Sequence, residues 1–224
     1  MMTPQERRRV LLQDIDIVID GGANSGQYAK WIRECGFHGT IISFEPASET
    51  FALLSDVARR DDDWHCRQEA LGPEDGYVAL NLTRTSLGSS VFRRTSLHFH
   101  MWPDDVNAGT EQVFARSLRS LWEELGCEGS RVFLKLDVEG AELSVLKGAG
   151  PVLDRIALLE LELPLVAIHH EAPTLTEMLN FLTERGFSPV ALEQNHSGDE
   201  TTGQMLLVDG IFRSSTSDGV TQST

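Results

Sequence analysis

Asp20 closes the apolar run Ile15-Asp16-Ile17-Val18-Ile19 and is followed at once by Gly21-Gly22-Ala23-Asn24-Ser25-Gly26. That order predicts a strand, a tight turn and a helix start. Glycines at 21 and 22 let the main chain bend and come close to a bound molecule, and Gly26 lets the next helix pack against the strand. N–H groups at the helix start favour an anionic group, whereas Asp20 favours a cationic one; an amino acid carries both. A dinucleotide turn wants G-x-G-x-x-G, but the spacing here is Asp20-x-Gly22-x-Asn24-x-Gly26, with Asn24 able to take a left-handed backbone. NAD is therefore disfavoured. Glu45, before Pro46, ends a second run, Thr40-Ile41-Ile42-Ser43-Phe44. It lies about 20 residues past the glycines, where an acid can accept both ribose hydroxyls of a nucleoside. A third run, Val132-Phe133-Leu134-Lys135-Leu136, ends in Asp137-Val138-Glu139. In a strand Lys135 and Asp137 point the same way, and an inward lysine needs a carboxylate partner, Asp137 or a glutamate.

Strands alternating with helices must hold these groups. Residues 1–14 are polar and basic, suggest at most a short helix, and are expected to be peripheral. Tyr28, Ala29, Trp31 and Ile32 recur at helical spacing up to Gly36, and residues 48–59 form a further helix with Phe51, Leu54 and Ala58 inward. Trp64 to Gln68 reads as a strand leading to Glu69 and Ala70, expected beneath an adenine, and Gly76 to Leu82 alternates as another strand. Residues 83–117 have weak periodicity and read as an irregular lid or acceptor-binding insert, with His98 and His100 as loop residues. Ser120 and Glu123 fit a capping box for a helix to Leu125. After the Lys135 run come a helix over 141–148, a strand over 156–162, a helix over 174–185, and strands over 187–193 and 204–212. The alternation predicts one α/β domain over residues 1–213, its sheet mostly parallel with an antiparallel C-terminal edge strand and helices on both faces. Residues 214–224, rich in Ser, Thr and Gly, read as a disordered tail.

Composition narrows the partners. A formal net charge of −15 argues against nucleic acid and anionic membranes, because such binding draws on Lys and Arg. Three cysteines, Cys35, Cys66 and Cys127, form no C-x-x-C pair, so a reducing cytoplasm is the expected compartment. The apolar stretch after Arg7-Arg8-Arg9 is too short and polar for a signal peptide or membrane span.

The glycine turn resembles that of class I methyltransferases, which use S-adenosylmethionine (SAM). At Phe133-Leu-Lys-Leu-Asp-Val-Glu-Gly-Ala-Glu-Leu-Ser-Val-Leu-Lys-Gly-Ala149 the chain closely resembles the FkbM family of these enzymes. Its hallmarks, a K-[IL]-D-V-E-G-x-E…VL-x-G run, a D-x-G-[AG]-N-x-G-like turn and an F-E-P strand end, match Lys135–Gly148, Asp20–Gly26 and Phe44–Pro46, within roughly residues 15–190. The resemblance implies a Rossmann-like fold and O-methylation of a hydroxyl on a sugar, glycolipid or polyketide-type acceptor. It implies SAM contacts from Asp20, Gly21, Gly22, Ala23, Asn24, Gly26, Glu45, Pro46, Glu69, Ala70 and Asp137. Methyl transfer needs a group that removes the hydroxyl proton. Strand tips should bring Asp137, Glu139, Glu160 and His169 or His170 to the reacting centre, with Asp137 and Glu139 first and Lys135 beside them. The family's fifth-strand acid matches Glu160 best, with Glu162 as the alternative. Leu118-Arg119-Ser120-Leu121 departs from the family's usual L-D-[DE]-L. Clustered carboxylates suit Mg²⁺, but no spacing is diagnostic of a metal. The rival to an enzyme is a SAM-binding module of the same fold without turnover.

Overall fold

A strand that is apolar up to its closing Asp20-Gly21 needs cover on both faces, and β1 (Ile17–Gly21) has it: all five positions are buried. The computed structural model describes residues 2–86, 88–195 and 197–215. Around β1 the chain runs α1 (Pro4–Leu11), α2 (Gln27–Glu34), β2 (Thr40–Phe44), α3 (Ser48–Ala58), β3 (Trp64–Arg67), β4 (Ala70–Leu71), β5 (Gly76–Thr83) and α4 (Ser96–Met101). Next come β6 (Asn107–Arg116), α5 (Leu118–Leu121), β7 (Val132–Leu136), α6 (Glu142–Ala149), β8 (Ile156–Pro164), α7 (Leu175–Glu184) and β9 (Phe187–Gln194). Two short strands, β10 (Gly198–Asp199) and β11 (Gln204–Met205), precede β12 (Leu207–Ser214).

The central sheet has the order β3-β2-β1-β7-β8-β12-β9. β3, β2, β1, β7 and β8 are parallel, while β12 runs antiparallel between β8 and the edge strand β9. Alternation along β1 and β7 divides the core. Ile17, Ile19, Leu134 and Leu136 face α6 and α7, whereas Val18 and Phe133 pack with residues of α2 and α3. The fold is thus the expected α/β sheet covered on both sides, and the parallel strands deliver β1, β2 and β7 with their C-terminal ends at one rim.

Four expectations change. Residues 83–117 are not irregular: β6 pairs with β5 along its length and with β4, making a second sheet. The outer half of β6 is exposed on both sides, so burial marks only Val113 and Ala115 and no alternation is legible there. His98 and His100 lie on α4, where residues two apart diverge; His98 is buried and His100 exposed. The cap of α5 is Ser117, which accepts from Ser120 N, in place of the Ser120 box. The tail expected from residue 214 begins inside β12, and residues 216–224 lie outside the described residues. Among the described residues no helix is long and apolar enough to cross a membrane.

Candidate active site

One row of the sheet carries polar side chains. Ser43, Asp20, Lys135 and Glu160 are Cα partners across β2, β1, β7 and β8, so all four project from the same face. Asp20 is completely enclosed; its Oδ1 lies 3.2 Å from Lys135 Nζ and its Oδ2 accepts from Ser43 Oγ at 3.3 Å. Burial pushes the Asp20 carboxyl up, with Lys135 opposing. Burial likewise works against the Lys135 charge, yet Asp20 and then Asp137 hold it above the ordinary ammonium value. Lys135 Nζ also sits 3.5 Å from Asp137 Oδ2 and donates to Gly22 O at 3.3 Å.

This row corrects two sequence-based roles. Asp20 is not among the residues lining the cavity at this rim, and Lys135, which is, is its partner. Lys135 is therefore the cation of the rim. Glu160 is taken too: Arg8 donates to it through Nε at 2.8 Å and Nη2 at 2.6 Å, and Tyr28 Oη donates at 2.6 Å. Arg8 comes from the N-terminal segment expected to be peripheral, and it is 1% exposed. The segment is α1, started by a capping box between Thr3 and Glu6.

Beyond the row, the chain leaves β1 through a turn that only small residues allow. Gly22 has φ +75°, and a Cβ there would fall 1.8 Å from Asp137 O, so the tips of β1 and β7 touch through bare backbone. Asn24 takes the left-handed conformation, φ 48°. Its N–H donates to Glu45 Oε2 at 2.9 Å, while Ala47 N donates to Oε1 at 2.9 Å, which fixes the carboxylate at the end of β2. Burial pushes Glu45 up to about 7 against those two hydrogen bonds.

A cavity of about 640 Å³ opens at this rim, walled by Gly22, Ala23, Asn24, Glu45 and Pro46 on one side. Ala70, Lys135, Asp137 and Glu139 also line it. Gly21 and Gly26 are structural: Gly21 pairs with Phe44 and Leu136, and a Cβ on Gly26 would strike the Trp64 ring at 2.7 Å. Glu69 stands apart from the cavity, because Arg67 Nε binds its carboxylate at 2.6 Å and Arg116 lies 3.6 Å away.

A second cavity of about 530 Å³ adjoins the first, lined by His98, Trp102, Glu162 and Asn195, with Glu139 in both walls. Carboxylate oxygens of Asp137, Glu139 and Glu162 lie within 4.8 Å of one another. Burial, with Asp137 close by, holds both Glu139 and Glu162 well above the usual carboxylate range. Glu142 braces the loop beneath by accepting from Val138 N at 2.9 Å. His169 is buried behind Glu139, its Nε2 4.0 Å from Glu139 Oε2, and lies in neither wall. Burial, with His98 and Arg94, pushes it down to about 4, which makes it a poor proton acceptor and corrects its expected role as base. His170 is exposed. Glu162, the alternative acid, therefore replaces Glu160 at the centre. Alternation places both on one side of β8, and Arg8 and Tyr28 take Glu160.

Residues 20–189 match the family model described as the Methyltransferase FkbM domain. Methyltransferase 1 of Beauveria bassiana (strain ARSEF 2860) is 28% identical over 150 residues, covering 60% of this chain and 59% of its own length. The FkbM methyltransferase structure from Methylobacillus flagellatus KT is similar with a TM-score of 0.54 and 16% identity, over 89% of this chain and 44% of that one. Fibrillarin of Aeropyrum pernix, with natively bound S-adenosyl-L-methionine, has a TM-score of 0.50 and 12% identity, over 92% of this chain and 73% of its own. The chain thus spans little more than half of the fungal relative and less than half of the bacterial one. With the family model spanning the glycine turn, the Glu45 tip and the Lys135–Gly148 run, this chain belongs to the FkbM methyltransferase domain family.

Proposed function

We propose that the chain is a SAM-dependent methyltransferase acting on a hydroxyl of a small sugar, glycolipid or polyketide-type acceptor. One observation carries this reading: Glu45, the Gly22–Asn24 turn and Asp137 line a single hollow at the C-terminal ends of parallel strands. The donor set fits the cofactor. Glu45 retains acceptor lone pairs for ribose hydroxyls, and Ala70 and Leu71 offer an apolar wall to a base. Lys135 can face a carboxylate, and the half-exposed Asp137 an ammonium. A Cβ at Gly22 would strike Asp137 O at 1.8 Å and part the strand tips that line the hollow. When bound, SAM supplies an electrophilic methyl group. The chain's own work is to orient the hydroxyl from the second cavity and receive its proton, and Glu139, shared by both walls, is placed to do so. Residues 83–117 contribute Thr85, His98 and Trp102 to the acceptor side.

Calorimetry with SAM and with NAD, followed by methyl-transfer assays on hydroxylated acceptors, tests the proposal. Tight NAD binding without SAM binding rejects it. SAM binding indifferent to Asp137→Asn, with no transfer to any acceptor, favours the non-catalytic module. A pH dependence follows from Glu45. It is ionised and able to accept ribose hydroxyls above about 7 and protonated below. Asp20 works with burial to raise it, and Lys135 to lower it. SAM affinity is expected to rise with pH, weakening about tenfold from pH 8 to pH 6. Glu45→Gln should be weaker throughout and flat; a flat profile in the unmodified chain would remove Glu45 from the binding site.

A further inference from the structure

Three residues other than glycine take positive φ among the described residues: Asn24 at 48°, Ser86 at 62° and Glu139 at 55°. All three line the first cavity. Asparagine tolerates that region, but glutamate has no short polar side chain to settle there, and such a conformation persists only where its surroundings fix it. At Glu139 it has a consequence for the site. The residue lines both cavities, and a turn of its φ back to the negative range would re-aim the carboxylate.

The loop that carries Glu139 is held from two sides. From below, Glu142 accepts from Val138 N at 2.9 Å and from Gly140 N at 3.4 Å. Gly140 lies so close to the chain after β8 that a Cβ would stand 3.1 Å from Ala172 Cβ and from His169 Nδ1. On Glu139 itself the bond comes from Ser90, whose Oγ donates to Glu139 O at 2.7 Å. Ser90 is buried and belongs to the chain between β5 and α4, outside the central sheet. Its backbone is pinned to β5: Asn81 N donates to Ser90 O at 2.8 Å, Ser90 N to Asn81 O at 3.1 Å, and Asn81 Nδ2 to Ser90 O at 3.1 Å. Phe92 N donates to Ser90 Oγ at 3.0 Å. With that N–H on the oxygen, the hydroxyl proton is left for the Glu139 carbonyl, and the direction of the bond is set.

We propose that Ser90 is a positioning residue: its hydroxyl holds the Glu139 carbonyl, keeps the backbone there left-handed and so keeps the carboxylate at the junction of the two cavities. A residue of the 83–117 segment thereby sets the geometry of a group at the tip of the central sheet. What the carboxylate then does, receiving a proton from an acceptor hydroxyl, rests on the methyltransferase reading; the hold of Ser90 on it does not. Asp137, Glu142, Asp105 and Glu162 oppose the charge of Glu139, Arg94 favours it, and His169 Nε2 lies 4.0 Å from it. Once released from burial among those acids, Glu139 would ionise at lower pH.

The test follows the Glu139 carboxyl directly, by carbon magnetic resonance of a chain labelled at glutamate Cδ, with the signal assigned by its loss in Glu139→Gln. In the unmodified chain it is expected to titrate well above the usual carboxylate range. In Ser90→Ala its midpoint should fall by at least about one pH unit toward the ordinary value. Arg93→Ala breaks the exposed pair with Glu171, another tie of the same segment, and should leave the midpoint where it was. An unchanged midpoint in Ser90→Ala, or an equal fall in Arg93→Ala, overturns the inference. If Ser90→Ala fails to fold, Asn81→Ala takes its place, because it loosens the same segment from a partly exposed position. A fall there supports the hold of Ser90, and no change overturns it. SAM calorimetry on the same samples separates the two readings. SAM binding with no fall in Ser90→Ala rejects the positioning role and leaves the cofactor proposal standing, while a fall without SAM binding does the reverse.

Discussion

Lys135→Met is expected to lower the unfolding free energy by about 3–5 kcal/mol in urea titrations, because it strands the Asp20 charge inside the protein. Asp20 is wholly enclosed, and its remaining partner, Ser43, is neutral. The reciprocal change should be milder. Asp20→Asn leaves Lys135 beside Asp137, at the edge of the cavity, where part of its charge is still balanced. The double variant Asp20→Asn/Lys135→Met removes both charges and should recover much of the loss, so the coupling in a double-mutant cycle will be positive and on the order of 2 kcal/mol. A cost below about 1 kcal/mol for Lys135→Met would show that the pair is not a structural element of the sheet.

Gly22→Ala should be the most damaging small change at the rim. Its φ of +75° strains any residue with a Cβ, and the added carbon would sit 1.8 Å from Asp137 O, a main-chain atom that cannot rotate away. The tips of β1 and β7 must part. We expect roughly 2–4 kcal/mol of destabilisation and SAM affinity reduced more than about a hundredfold. Gly36→Ala is the control: φ is +91°, but nothing lies within 4 Å of the added carbon. It should cost only the backbone part, about 1–2 kcal/mol, and leave SAM affinity unchanged. Equal effects at the two positions would mean that the contact with Asp137 is irrelevant.

Net charge also takes on a local meaning in the structure. The formal −15 of the chain is not spread evenly. Asp20, Asp137, Glu139, Glu160 and Glu162 all converge on the rim formed by β1, β7 and β8, and Arg8 and Lys135 neutralise the two deepest acids. The three that remain are those closest to the junction of the cavities. The rim therefore leaves its remaining acids where the cavities meet and pairs with cations those where the sheet must pack.

Sequence alone determined the sheet and its rim. Mostly apolar runs ending in Asp20, Glu45 and Asp137 read as strands buried on both faces, and the Gly22–Asn24 spacing suits the positive φ values observed there. These signals are local in the chain, so they are legible without the fold. What the tertiary structure decided is which acid of β8 is taken by a cation and which is left at the cavities. Glu160 and Glu162 are equivalent by alternation, and they differ because Arg8, about 150 residues away in sequence, and Tyr28 both bind Glu160. Asp20 and Lys135 pair because β1 and β7 lie in register. Glu162 joins Asp137 and Glu139 only through the β7–β8 neighbour relation. Register and long-range ion pairing depend on how distant strands align, and no periodicity within a strand encodes that.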